Sequence, residues 1–341
     1  MSRTDTTAVF TEWGKKIQGA MDSNLLEREI DTASHHNPWH TRENIVFALG
    51  QIVRWLEPKR LGQWLERYPQ LDTIQRPRTV AVIMNGDVPL AGFRDMLSVL
   101  ASNNRVLIKL SDYDDVMIPA LAKILTGIAP EFEDYISFAE GRMHDFDAVI
   151  ASSTGTLNPY FEKYFAKYPN IIRQPKKSIA VLSGNETEKQ LERFTDDIFL
   201  YMGLGNHSVS KIYVPENYDF GPLTKVSEKY RYLFDNNQYK SSLDYHKALL
   251  LLNAVPFVDG DFWMLKQDDT LDAPVSMLNY ATYASIDTVQ DFINGNAGKI
   301  QCVVSECDGL GNCVPFGKSW RFEPWDYDDN TDTIKFLTDL Q

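Results

Sequence analysis

Three polar turns, one glycine-rich loop and two clusters of titratable or soft side chains are where this sequence could do chemistry. The turns are NGDVP (85–89), LSDYDD (110–115) and SSTGTLN (152–158), each placed directly after a short apolar run. Small hydroxyl side chains in such turns, Ser152, Ser153 and Thr154 above all, suit contacts to a phosphate or a ribose, although polar turns also serve simply to cap helices. The loop GLGNHSVSK (203–211) sets His207 beside Ser208, a base next to a hydroxyl, with Asp87 as a conceivable third member of a nucleophilic triad. Neighbours in sequence seldom present their side chains to each other, so filling the turn is the plainer reading. His35, His36 and His40 in HHNPWH have no acidic ligand close by, and no zinc site is expected there. Cys302, Cys307 and Cys313 lack a second C-x-x-C pair and a flanking histidine, so they promise neither zinc nor a disulfide framework. Cys302, in KIQCVV, reads as a buried strand residue. Neither G-x-G-x-x-G after a strand nor G-x4-G-K-S/T is present.

The elements that must position these residues change character along the chain. Up to about residue 70 the apolar spacing is helical: Val9, Phe10, Trp13 and Ile17, then Ile45 to Leu56, then a short helix opened by Pro58. From residue 78 strands and helices alternate. RTVAVIM (78–84), RVLIKL (105–110), YISF (135–138), DAVIAS (147–152), NIIR (170–173) and SIAVLS (178–183) read as strands, with helices such as GFRDMLSVLAS (92–102) between them. Strand-turn-helix repetition of this kind predicts an α/β fold with an open, mostly parallel sheet covered on both faces, whose ligands sit beyond the carboxyl ends of the strands. A second α/β segment follows, with strands VSKIYV (209–214), PVSMLNY (274–280) and IQCVVS (300–305) and a helix over 243–255. Asn206 is taken as the boundary, giving a first domain of N-terminal helices and an α/β sheet (1–205) and a second α/β domain (206–341).

Composition narrows the partners. A formal net charge of −13 over 341 residues argues against nucleic acid and against anionic membrane surfaces, both of which select basic faces. No apolar stretch reaches the roughly 20 residues of a membrane span, and the N-terminal residues lack a signal-peptide core. An odd number of cysteines, all near one end, fits a reducing compartment, and a cytoplasmic protein is expected.

The order of several segments resembles the aldehyde-dehydrogenase superfamily, and within it the bioluminescence-type fatty acyl-CoA reductases. The resemblance runs through NPWHTRENI (37–45), NGDVP to LSDYDD (85–115), DAVIASSTGT (147–156), IIRQPKKSIAVLSGNET (171–187), YMGLGNHSVSKIYVP (201–215), KIQCVVS (299–305) and VPFGKS (314–319). It implies an aldehyde-dehydrogenase-like fold, NADP as cofactor and a fatty acyl-CoA or other acyl thioester as partner, with self-association or pairing to an active reductase as further expectations. In that family a cysteine thiolate attacks the acyl carbonyl and expels coenzyme A, and a hydride from NADPH then reduces the enzyme-bound thioester to the aldehyde. The resemblance puts Lys109 at the adenine ribose or its phosphate and Asp112 where the superfamily's turn carries glutamate, with Ser111 between them and Leu110 in place of a proline. It also makes HHNPWH a helix-start loop packed on the core.

Two departures fall on the reacting groups. Asn206 stands where the family has its nucleophilic cysteine, and a carboxamide nitrogen, its lone pair delocalised, is no equivalent of a thiolate. Asp87 stands where the family has an asparagine that donates to the oxyanion. An ionised carboxylate repels that charge, and loss of one such donor costs roughly 3 kcal/mol of transition-state stabilisation. Ser153 replaces a glycine in the turn that approaches the cofactor's phosphates. The expectation is a reductase by descent with its reaction impaired or lost. The alternatives are a silent nucleotide- and thioester-binding homologue and a hydrolase using Ser208 and His207.

Overall fold

The computed structural model describes residues 3–73, 76–152, 158–328 and 331–340. The chain divides into two units: Met1–Pro175 together with Glu323–Gln341, and Lys176–Phe322. Asn206, taken from the sequence as the divide, lies inside the second unit. The strand after Pro175 pairs with the second sheet, and the last stretch of chain returns to the first unit.

In the first unit, helices Arg3–Asp22, Arg42–Trp55 and Pro58–Leu65 form as the periodicity requires, the last with Pro58 in its first turn, and a further helix, Glu27–His36, not expected from the sequence, lies between the first two. Phe10, Trp13, Ile17, Ile45, Leu49 and Trp64 are buried along their inner faces. Five strands follow: β1 (Thr79–Ile83), β2 (Arg105–Lys109), β3 (Ile136–Phe138), β4 (Ala148–Ser152) and β5 (Asn170–Arg173). They lie in the order β3-β2-β1-β4-β5, and every pair is parallel. The order reverses direction between β1 and β4, the place where an open α/β sheet forms its ligand crevice.

The helix Phe93–Ala101, which follows β1, is buried at every position. It therefore has to bury Arg94 and Asp95 as well, and both are paired. Arg94 bonds the backbone carbonyl of Asp326 at 2.6 Å and the carboxylate of Asp328, while Asp95 pairs with Arg173 of β5. Those contacts, with Glu323 paired to Arg54 and Arg60, and Tyr68 bonded to Asp332 at 2.8 Å, fix the returning C-terminal segment to this unit.

In the second unit the strands are β6 (Lys177–Val181), β7 (Val209–Pro215), β8 (Phe257–Asp259), β9 (Met264–Gln267), β10 (Met277–Tyr283) and β11 (Ile300–Val304), ordered β11-β6-β7-β10-β9-β8. Only the β8–β9 pair is antiparallel. The expected strand at 274–280 begins three residues later, because Met277 N–H bonds back to the Pro274 carbonyl in a turn. The helix expected over 243–255 is Asn237–Leu252. It starts earlier because the Asn236 side chain caps it, accepting from the amides of Gln238 and Tyr239. Cys302 is half-buried on β11 rather than fully buried. Among the described residues no helix is long and apolar enough to cross a membrane, and no group of His, Cys, Asp and Glu is placed to hold a metal.

Candidate functional site

In the first unit the parallel register brings the turn residues to one edge. Ile83 lies opposite Lys109 on one side and Ala151 on the other, so Asn85, Asp87, Lys109, Ser111, Asp112 and Ser152 all leave the sheet at its carboxyl end. Ser153 and Thr154 lie outside the described residues. The turns after β1 and β2 are pressed together: a Cβ on Gly86 would sit 2.6 Å from Ser111 Oγ and 2.9 Å from Tyr113 Cβ. Ser111 Oγ accepts from Tyr113 N at 3.2 Å, and its carbonyl accepts from Asp114 N at 3.1 Å, which rolls LSDYDD into a tight turn. Asp112 is exposed, while Asp87, Lys109, Ser111 and Ser152 are half-buried.

Two polar groups at this edge have capacity to spare. The Lys109 ammonium has no hydrogen-bond or ion-pair partner among the described residues, and the buried Asn85 Oδ1 likewise accepts nothing. Asn85 Nδ2 instead donates to Asp87 Oδ2 at 3.4 Å. A cation and hydroxyls at a switch point can donate to phosphate oxygens, and an acceptor such as Asn85 Oδ1 can take a ribose hydroxyl proton, so the residues fit a phosphorylated nucleotide.

The framework beneath the edge was not singled out from the sequence. His40, only 1% exposed, has Nε2 3.0 Å from the Gly86 carbonyl, and Asp114 accepts the Leu90 amide at 2.7 Å. Leu90 sits at φ +60°, a conformation that a non-glycine residue holds only where its surroundings fix it. The motif NPWH carried the signal, but only the fold places His40 under residue 86.

In the second unit, helix Glu188–Phe199 leads into a strained loop. Tyr201 (φ 52°) and Met202 (φ 59°) are both left-handed, followed by Gly203 and Gly205 at φ 76° and 80°. This path carries the chain to Asn206, which is half-buried at the start of β7. Its backbone carbonyl accepts from Ser178 Oγ at 2.7 Å, and that oxygen is 3.1 Å from Cys302 Sγ. The Asn206 carboxamide has no side-chain hydrogen bond among the described residues.

His207 and Ser208 do not form a base–nucleophile arrangement. Ser208 Oγ donates to the Leu204 carbonyl at 2.7 Å and accepts from Trp320 Nε1 at 3.2 Å, so its proton is already committed. His207 is buried against aromatic rings, stacked on Phe322 at 4.6 Å and tilted to Trp320 at 5.2 Å. Trp320 in turn is held through the segment before it. The buried Asp197 carboxylate accepts from Gly317 N at 2.6 Å and Ser319 N at 2.9 Å, and burial pushes its carboxyl up to about 6.

Comparison with solved structures places this geometry. The ALDH21 aldehyde dehydrogenase of Physcomitrella patens, in complex with the reaction product succinate, superposes with a TM-score of 0.70 at 10% identity, covering 100% of this chain and 84% of that one. The fold is that of the aldehyde dehydrogenases. AldA, an indole-3-acetaldehyde dehydrogenase of P. syringae in complex with NAD+ and IAA, gives a TM-score of 0.67 at 10% identity over 92% and 74% of the two chains. AldH of Staphylococcus aureus, in a substrate-bound state, gives 0.59 at 18% identity over 89% and 77%. No family model matches the sequence, and no curated protein matches it. The aldehyde-dehydrogenase-like fold expected from the sequence is therefore present, with a wholly parallel sheet in the first unit and a mixed one in the second.

Proposed function

We propose that the chain is a nicotinamide-nucleotide-binding homologue of the acyl-CoA reductases, an oxidoreductase by descent in which reduction of the thioester is impaired or lost. It holds NADP(H) and a fatty acyl thioester and serves as a silent homologue, self-associated or paired with an active reductase, in the cytoplasm. The observation that carries this reading is Asn206. It ends a strained, glycine-assisted loop at the start of a buried strand, a setting built to present one side chain, and it presents a carboxamide.

A bound nicotinamide supplies the hydride; the rest falls to the chain. Lys109 offers its uncommitted ammonium to the ribose phosphate, with the hydroxyls of Ser111 and Ser152 at the same edge. Asp112, exposed on that turn, would accept from the ribose hydroxyls of a bound nucleotide. Asn206 forms no thioester, because its nitrogen lone pair is delocalised into the carbonyl. Asp87 offers a carboxylate where an oxyanion needs a donor. The hydrolase reading on Ser208 is weaker, since the Ser208 proton is bonded to the Leu204 carbonyl and a base must first displace it.

Oxidation of NADPH in the presence of a panel of fatty acyl-CoA substrates tests the reading on three proteins: the native chain, Asn206→Cys, and Asn206→Cys with Asp87→Asn. The expected order is no turnover, slow turnover, and a gain of a further hundredfold or so for the double variant. Turnover by the native chain sinks the proposal. Failure of the native chain to bind NADPH by fluorescence titration removes its nucleotide half.

A further inference from the structure

Two buried titratable groups bracket the turn that carries Asp87, and neither is used by the chemistry above. His40 reaches Gly86 from the loop ahead of helix Arg42–Trp55, and Asp114 reaches Leu90 from the turn after β2. Gly86 and Leu90 are the two ends of the same turn. Asp87, between them, is thus held by one side chain at each end.

The hydrogen-bond inventory of this clamp is one proton short. A backbone carbonyl only accepts, so the bond to Gly86 requires the proton of a neutral His40 on Nε2 and leaves Nδ1 as a lone pair. Nδ1 lies 4.0 Å from Asp114 Oδ1, and that oxygen is buried with no hydrogen-bond partner. If Asp114 were ionised, its sealed Oδ1 would set a negative charge against the imidazole lone pair 4.0 Å away. A proton on Oδ1 removes that charge and gives a donor on the side of the acceptor, while Oδ2 keeps the Leu90 amide. Both titrations agree in direction: burial pushes the Asp114 carboxyl up to about 7 and the His40 imidazole down to about 4. The other titratable groups around the clamp do not reverse this. Asp115, next in the chain, raises Asp114 further. His36 is paired with Asp115 at 3.1 Å. Asp112 and Lys109 belong to the same turn, and Asp87 to the turn being held.

The geometry points to His40 and Asp114 as positioning residues that share one proton, carried on Asp114 Oδ1, and hold the Asp87 turn in place only while that proton is present. Loss of the proton leaves an unpaired charge beside the imidazole lone pair, and the least costly relief is for the turn to loosen at Leu90, whose backbone is already left-handed. The edge that receives the nucleotide would then lose its shape as pH rises through neutrality. The consequence for ligand binding rests on the proposed nucleotide site; the shared proton does not.

Infrared difference spectra of the full-length protein through a pH titration read the proton directly, and hydrogen exchange at the Leu90 amide reads the turn. The expected result is a protonated-carboxyl band on the acidic side that is absent from Asp114→Asn, with Leu90 protection falling as the band disappears. Asp114→Asn, whose amide donates permanently to Nδ1, should keep Leu90 protected at alkaline pH. His40→Gln, which preserves a donor to the Gly86 carbonyl but removes the Nδ1 acceptor, should shift the band and serves if the asparagine variant does not fold. Absence of an Asp114 band at any pH, or equal pH dependence of Leu90 exchange in native and Asp114→Asn protein, overturns the proposal. NADPH titrations run alongside separate the two claims. A roughly tenfold weakening that tracks the band supports both. A band and protection that behave as expected, with no NADPH bound at any pH, uphold the clamp and remove the nucleotide reading alone.

Discussion

The two loops richest in reactive side-chain types are built on opposite plans. The turn after β1 in the first unit is short and supported from below by buried polar side chains, and among the described residues the Lys109 ammonium and Asn85 Oδ1 at its edge have no hydrogen-bond partner. The loop before β7 in the second unit is strained in its backbone, and two of its side chains are already engaged: Ser208 with Leu204 and Trp320, His207 with the rings of Phe322 and Trp320. An edge with unspent hydrogen-bonding capacity is one that still has something to offer a ligand. A loop with its hydroxyl bonded twice has already used what it had. The difference teaches that reactivity cannot be read from residue type alone, since a serine next to a histidine looks more reactive than a lone lysine until partners are counted.

The sharpest way to break this comparison is to restore a nucleophile at residue 206 together with a donor at residue 87. If thioester reduction returns, the second loop was deficient in one atom type rather than in architecture. Next in size is Gly86→Ala. Because the new methyl would lie within 3 Å of two neighbours, the substitution should destabilise the protein by about 1–3 kcal/mol, read by denaturant unfolding, and should abolish measurable NADPH binding. Ser208→Ala should cost about 1–3 kcal/mol by stranding the Trp320 indole N–H and should leave any NADPH binding unchanged. Loss of an esterase activity in that variant would restore the hydrolase reading. Lys109→Met should weaken NADPH binding about tenfold with little change in stability, because the ammonium has no partner among the described residues to lose.

The smallest expected effect is in the pH dependence of stability. The folded-state pKa of Asp114, near 7, lies above its ordinary value, so the folded state binds the extra proton and stability from this group falls as pH rises from about 4 to 7. His40, lowered to about 4, acts in the opposite sense and adds stability as pH rises from about 4 to 6.5. The two cancel over most of that window. In Asp114→Asn only the histidine contribution remains, so the variant should gain on the native protein steadily up to neutral pH in thermal melts.

Most of the architecture was legible in the sequence because it follows from local pattern. The apolar runs at 79–83, 105–109 and 148–152 are too short for helices and alternate with helical spacing, which is enough to call a parallel sheet. β8 and β9 do not show in the sequence, being three and four residues long and separated only by residues 260–263, too short for an alternation to appear. The compact units divide after Pro175 rather than at Asn206, and nothing in the residues around 175 marks that division in the sequence. The site was legible only where a residue's own chemistry decided the matter, as at Asn206.

The sequence by itself determined the α/β alternation, the polar edge at the strand ends and the absence of a thiol at residue 206, since each depends on side-chain type and spacing along one stretch of chain. Only the tertiary structure decided that His40 and Asp114 meet beneath the Asp87 turn and that Ser208 is tied to Trp320, 112 residues away. The physical reason is the same for both. A hydrogen bond is formed by groups in space, and whether a donor is free or spent depends on partners that the order of residues does not name.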